Sequence, residues 1–319
     1  MMRSILAALI YAALLATSAA ENSAEPAAWA YAVNPPGLQP APDDGTLQHV
    51  PNSVASFTKT QLRDLFKVPD WYPDDHPPMS DPVAHGRSPS TYACGFCHLP
   101  NGLGRPENSS LAGLPAEYIV QQVANFRDGS RKSSVPTLPL TLMIATANNV
   151  SAAEVKDAAA YFSSLKPRPW IRVIEAATVP KTRVLGFMLV PDGSGDSEPI
   201  GTRVIEMPEN VPLTELRDSR SGFIAYAPPD SLAQGEALVT TGGSGKTVPC
   251  GICHGTDLKG LGPVPALAGR SPSYLFRQLY NIQHGTRAGS WIALMQPVVA
   301  KLSEEEMVAI VAYVASRTP

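Results

Sequence analysis

The pattern Cys-x-x-Cys-His occurs twice, as Cys94-Gly95-Phe96-Cys97-His98 and as Cys250-Gly251-Ile252-Cys253-His254, and the two copies use all 4 cysteines of the chain. On one turn of helix, cysteines at i and i+3 share a face, and the following histidine is set beneath whatever the pair holds. This is the attachment pattern of c-type haem, with two thioether bonds to one porphyrin and one axial nitrogen for its iron. The chain is therefore expected to carry two covalently attached haem c groups, one on Cys94 and Cys97 and one on Cys250 and Cys253, with His98 and His254 as iron ligands. Other readings fit less well. Paired cysteines that share a structural zinc normally lie roughly 15–20 residues apart, whereas 152 residues separate Cys97 from Cys250. A thioredoxin-like pair needs a βαβ setting that neither site shows. Two disulfides would leave the histidine after each pair unexplained.

The chain opens Met1-Met2-Arg3, then runs apolar from Ile5 to Ala16 and ends in small residues at Ser18 and Ala20. A basic start, a short apolar stretch and a small-residue cleavage site describe a secretory signal at 1–20, and the stretch is shorter than the roughly 20 residues needed to span a bilayer. The mature chain is expected to be periplasmic and not membrane-spanning. Its net charge of −3 becomes one unit more negative once Arg3 is removed, which gives no support to a nucleic-acid partner. With 32 prolines and 24 glycines in 319 residues, loop-rich domains in which a cofactor supplies much of the apolar core are expected.

The sequence repeats itself around the two motifs. At an offset of 156, His98 matches His254, Leu111-Ala112-Gly113 matches Leu267-Ala268-Gly269, and Tyr118, Gln122, Asn125 and Gly129 match Tyr274, Gln278, Asn281 and Gly285. The stretches 115–128 and 271–284 have helical periodicity and end at glycine. Beyond that glycine the offset falls to 152, pairing Met143 with Met295 and the capping boxes Ser151-x-x-Glu154 and Ser303-x-x-Glu306, each of which opens a closing helix. Methionine is ordinarily a gap-filling core residue, but registration with motif and capping box marks these two as the second axial ligands, placed in loops: Met143 for the first iron and Met295 for the second. Met79, Met188, Met207 and Met307 have no counterpart in the other copy and read as packing residues.

These elements resemble the class I cytochromes c, specifically the two-domain dihaem electron-transfer cytochromes of bacteria. The resemblance covers about 90–166 and 229–319. It implies a mainly α fold: a first haem domain over 81–166 and a second over 229–319, joined by a β-rich connecting segment at 167–228 and preceded by a proline-rich N-terminal extension at 21–80. The second copy matches better. Residues 231–239 supply the helix that the family packs against its closing helix near Tyr313, and Pro265 resembles the proline whose carbonyl orients the axial histidine. In the first copy Ser109 stands at the position of Pro265, and 77–90 is too rich in proline for a long helix, so the two haems are expected to be electronically inequivalent.

One helix is expected near Ser56–Phe66, within an extension that wraps over the first domain. His49, His76 and His85 are alternative ligand candidates without counterparts in the second copy. The connecting segment, with β-rich stretches at 170–175, 182–190 and 202–207 and a turn cluster at 192–196, reads as a small β-meander. With histidine and methionine on both irons no open position remains for a substrate, so the resemblance implies an electron carrier rather than an enzyme. The expected partners are redox proteins: a quinol-oxidising complex, a terminal oxidase or a periplasmic dehydrogenase. A dihaem peroxidase would need an exchangeable site, and a thiosulfate-oxidising enzyme of the cysteine-ligated kind would need a cysteine this chain does not have to spare. The role of cytochrome subunit in a dehydrogenase complex stays open.

Overall fold

The structure, a computed structural model, describes residues 27–319; the expected signal segment 1–20 lies outside them. Helices dominate, with small sheets between two helical units. The first unit comprises α1 (Asp81–Ala84), α2 (Cys94–His98), α3 (Ala116–Arg127), α4 (Leu138–Asn149) and α5 (Ala152–Ser164). Ser151 and Glu154 close the expected capping box at the start of α5, satisfying two backbone donors that a helix end otherwise leaves unpaired. Phe162, Ala159 and Leu165 of this closing region meet Leu103, Leu114 and Ile119 in one apolar core.

The connecting segment is not a meander. It contains β1 (Ile171–Glu175), β2 (Thr178–Pro180), β3 (Thr182–Leu185), β4 (Met188–Pro191), β5 (Ser197–Pro199), β6 (Ile205–Pro208), helix α6 (Val211–Glu215) and β7 (Phe223–Ala227). The stretch 182–190, expected as one strand, folds back on itself as the β3–β4 hairpin. Gly186 and Phe187 both take positive φ there, the backbone that a two-residue hairpin turn demands. Strand β7 then returns beside β1 in parallel, Ile171 opposite Phe223 through Glu175 opposite Ala227, with β6 antiparallel on its other side. Parallel neighbours require a long crossover, and residues 176–222 provide it. The entry and exit of the segment are thereby held side by side, which fixes the helical units against each other.

The second unit comprises α7 (Ser231–Thr241), α8 (Gly251–His254), α9 (Pro272–Gln283), α10 (Gln296–Val299) and α11 (Glu304–Ser316). Helix α11 is buried along most of its length, and Ser303 with Glu306 forms its capping box. Helix α7 crosses it so closely that a Cβ on Gly235 would lie 2.1 Å from the carbonyl oxygen of Ala309 and 2.6 Å from Cβ of Tyr313. Gly235→Ala is therefore expected to force the helices apart and to cost at least the 1–3 kcal/mol typical of overpacking, read as a lowered denaturation midpoint at unchanged m-value. The first unit has no such crossing. Its α1 is a single turn, and it packs on α2 and α5.

The extension departs from expectation in two ways. The helix expected near Ser56–Phe66 is reduced to a short 3-10 turn at Gln61–Arg63. The extension also straps both units rather than one. Trp29 packs at a tilt against Phe276, 4.5 Å between ring centroids, and Tyr31 donates to Asn281, both partners lying in the second unit. Further along, Trp71 donates to the carbonyl of Leu216 in the connecting segment, and Val68 packs with Phe96 of the first motif.

Candidate haem sites

Short helices α2 and α8 present the two Cys-x-x-Cys-His turns. In the first, Cys94, Cys97 and His98 line one cavity together with Met143. Its empty space is about 1600 Å³ with the solvent-facing mouth included. Its walls include Phe162, whose ring stands edge-on to His98 at 6.0 Å.

His98 Nδ1 lies 2.8 Å from the carbonyl oxygen of Ser109. A carbonyl only accepts, so Nδ1 carries the proton and Nε2 keeps its lone pair for a metal. Burial pushes the His98 imidazolium down to about 4, against a smaller opposing effect of that hydrogen bond, so the ring is neutral at physiological pH. His254 Nδ1 makes the matching bond to the carbonyl of Pro265, also 2.8 Å, and burial likewise lowers its pKa. The replacement of Pro265 by Ser109 in the first copy thus leaves this orienting bond intact, because it comes from the main chain. Burial also raises the thiols, Cys94 to about 12 and Cys250 to about 11. Thiols so hard to ionise are poorly suited to redox exchange.

Met143 does not lie in a loop. It sits within α4, which starts at the N-cap Thr137 with Pro139 in its first turn, a position where proline favours a helix rather than breaking it. In the second copy Pro297 falls just after Met295, and the chain there forms only a 3-10 turn, Ile292–Leu294, and the short α10. Met295 and Cys250 both pack against the core of the second unit. Of the alternative histidines, His76 is engaged by Asp70 and Tyr161, His85 by Asp81, and His49 is exposed.

The two units meet through residues that repeat. Segments 130–132 and 286–288 pair antiparallel: Lys132 N donates to Thr286 O at 2.8 Å and Ala288 N to Ser130 O at 2.7 Å. At the centre stand Arg131 and Arg287. Each donates to the glutamine of its own unit, Arg131 to Gln122 at 2.9 Å and Arg287 to Gln278 at 3.0 Å. Each also reaches the tyrosine of the other unit, Tyr274 at 2.8 Å and Tyr118 at 3.0 Å. Burial alone would raise Tyr274, yet the charges of Arg131 and Arg287 bring it down to about 8. The tyrosines and glutamines repeat at an offset of 156 with no role evident from sequence, and Arg131 and Arg287 carry that offset two residues beyond Gly129 and Gly285.

Arg131, Arg270 and Arg287 are buried and Arg277 is half-buried, and none of the four forms an ion pair among the described residues. Arg131 and Arg277 line the first cavity, and Arg287 Nε is buried without a partner. Buried cations normally require compensating anions. An apolar cavity bearing two cysteines, a neutral histidine and a methionine, edged by uncompensated guanidiniums, fits a haem and its two carboxylates.

The family model described as "Cytochrome C oxidase, cbb3-type, subunit III" matches residues 232–314. The chain is 27% identical to a thiosulfate dehydrogenase electron acceptor of Thiomonas intermedia, over 72% of this chain and 80% of that protein. It is 26% identical to a cytochrome c4 of Pseudomonas aeruginosa, over 69% and 82% respectively. Over a shorter stretch it is 41% identical to cytochrome c-554(548) of Halomonas halodenitrificans, covering 24% of this chain and 92% of that one.

Proposed function

This chain belongs to the class I c-type cytochromes and is an electron carrier with two haem c groups, and from that premise we propose how its residues divide the work. Residues 81–166 and 229–319 form the two haem domains. Cys94 and Cys97 hold one haem and Cys250 and Cys253 the other, with His98 and Met143 on the first iron and His254 and Met295 on the second. The observation that carries this reading is the convergence of Cys94, Cys97, His98 and Met143 on one cavity.

When bound, each haem supplies one-electron iron chemistry between the ferrous and ferric states. The chain's own residues do the rest. The carbonyls of Ser109 and Pro265 lock the tautomer and orientation of the ligand histidines. The largely apolar walls would place the iron at lower dielectric than water, where its charge change is felt more strongly. The guanidiniums of Arg131 and Arg277, which line the first cavity, would hold haem carboxylates there and favour the reduced state. His98 with Met143 and His254 with Met295 would ligate the two irons, which would leave no position for a substrate and favours transfer over catalysis.

No helix among the described residues is long and apolar enough to cross a membrane. Together with the signal-like 1–20, this supports a periplasmic carrier that serves a quinol-oxidising complex, a terminal oxidase or a periplasmic dehydrogenase. The oxidised holoprotein is expected to show the methionine–iron charge-transfer band; its absence from both haems would overturn the ligand assignment. The similarity to a thiosulfate dehydrogenase electron acceptor favours one partner in particular, a dehydrogenase that hands its electrons to this chain. Co-purification as a stable complex with such an enzyme would identify it.

A further inference from the structure

The first Cys-x-x-Cys-His turn carries a guanidinium on its outer side. Arg217, just past α6 in the connecting segment, stands over the Phe96 ring at 3.6 Å from its centroid and donates to the Phe96 carbonyl at 2.8 Å. A cation on an aromatic face and a charged donor on a carbonyl are both favourable. The residue is half-buried and takes φ of 62°, an uncommon backbone for a residue with a side chain. Trp71 of the extension fixes the chain beside it by donating to Leu216 O at 2.8 Å. In the second copy Ile252 stands at the position of Phe96, so no ring is there for a guanidinium to cover, and Cys253 is exposed.

The charges around the first turn do not balance. Arg105 pairs with Glu107, and both side chains are almost buried. Arg217 has no ion pair among the described residues. Two guanidiniums and one carboxylate therefore leave one positive charge uncompensated. Desolvation, and after it the charge of Arg105, bring Arg217 down to about 9, so it is still a cation at neutral pH. Its charge is felt at the sulfur that would join the porphyrin. Burial raises the Cys97 thiol, and the cation of Arg217 opposes this more strongly than Glu107 adds to it. At Cys250 burial acts without any guanidinium.

An oxidised haem iron carries one more positive charge than a reduced one. A cation nearby destabilises the oxidised form more, and in a partly desolvated setting water screens that effect less. We propose that Arg217 sets the potential of the first haem above that of the second, so that a molecule holding one electron keeps it on the first haem. The inference rests on the two-haem carrier reading. In the internal step one electron passes from the second iron, which is oxidised, to the first, which is reduced; no bond forms or breaks and no proton moves.

The test is a redox titration of the full-length holoprotein followed by proton NMR, with each set of haem methyl resonances assigned to its own domain. In the unmodified protein the first haem is expected to reduce before the second. Arg217→Met, which fills much of the same space without the charge, is expected to weaken reduction of the first haem about tenfold, equivalent to about 59 mV for one electron, and to leave the second unchanged. Arg217→Lys keeps the charge and is expected to retain most of the difference. A first haem that reduces together with or after the second in the unmodified protein overturns the proposal. So does an unchanged first potential in Arg217→Met, or an equal fall in the Met and Lys variants, which would make Arg217 a cover and not a charge. If neither variant incorporates haem, the order in the unmodified protein decides. Fewer than two titrating haems would overturn the two-haem reading itself, whereas two haems in the reverse order overturn the role of Arg217 alone.

Discussion

Met143→Ala is expected to lower the potential of the first haem by on the order of 0.1 V, a fraction of the roughly 0.8 V that axial ligands command, and to leave the second unchanged. The thioether stabilises ferrous iron, so its loss favours the oxidised state. The methionine–iron band should fall by about half, and the vacated axial position should bind added azide or carbon monoxide. Met295→Ala should do the same at the other haem. Redox titration of each variant, with a ligand-binding spectrum beside it, checks both. If neither substitution moves a potential or a spectrum, the two methionines are core residues and the closed-site argument falls with them. The position of Met143 inside α4 makes the first site the stiffer of the two. Removing its side chain leaves the helix in place, whereas Met295 sits between two short turns that are freer to rearrange.

Arg131→Met is expected to act differently on the protein with and without its cofactor. Arg131 is 8% exposed and donates to Gln122 and Tyr274. Hydrogen bonds from a charged group contribute about 1.5–3 kcal/mol each, while desolvating an unpaired guanidinium costs several. These nearly cancel when no anion is present, so the apoprotein should change little. In the holoprotein the haem carboxylates would complete the pairing, and the substitution should then cost about 3 kcal/mol and lower the first haem's potential, since a nearby cation favours the reduced iron. The Arg131→Met, Arg287→Met pair shares Gln122, Gln278 and the tyrosines, so a double-mutant cycle should give a coupling of about 0.5–3 kcal/mol. Calorimetry and redox titration of the four proteins measure both effects; strict additivity would mean that the two arginines do not act as one network.

Much of the helical framework was legible because its signals are local. Ser-x-x-Glu announces α5 and α11, and glycine after an amphipathic run ends α3 and α9. The helix around Met143 was not legible. Its residues, Leu138–Asn149, are apolar without a clear stripe, and Pro139 looks like a breaker until it is seen in the first turn. The β-rich stretches were recognisable by composition, but composition does not say that β7 lies beside β1. That pairing joins residues about fifty positions apart and depends on where the helical units bring the segment's ends. The bond from His98 to Ser109 was hidden for another reason: a main-chain carbonyl leaves no mark on residue identity. Arg131 and Arg287 did leave one, since they keep the offset of the tyrosines and glutamines before them. Arg217 left none, having no counterpart to be compared with.

The strap formed by the N-terminal extension has a consequence for how the molecule comes together. The hydrogen bond from Tyr31 to Asn281 spans 250 positions, and Trp29 rests on Phe276. Contacts of such sequence separation form late, because the intervening chain must be ordered before they return anything. A chain emerging with its N-terminus first cannot seat residues 29–31 until α9 has followed. Tyr31 also borders the cavity that holds Cys94, Cys97 and His98. The cavity's wall therefore stays incomplete while the rest of the chain arrives, and this interval gives access to Cys94 and Cys97 for covalent attachment before the last wall closes.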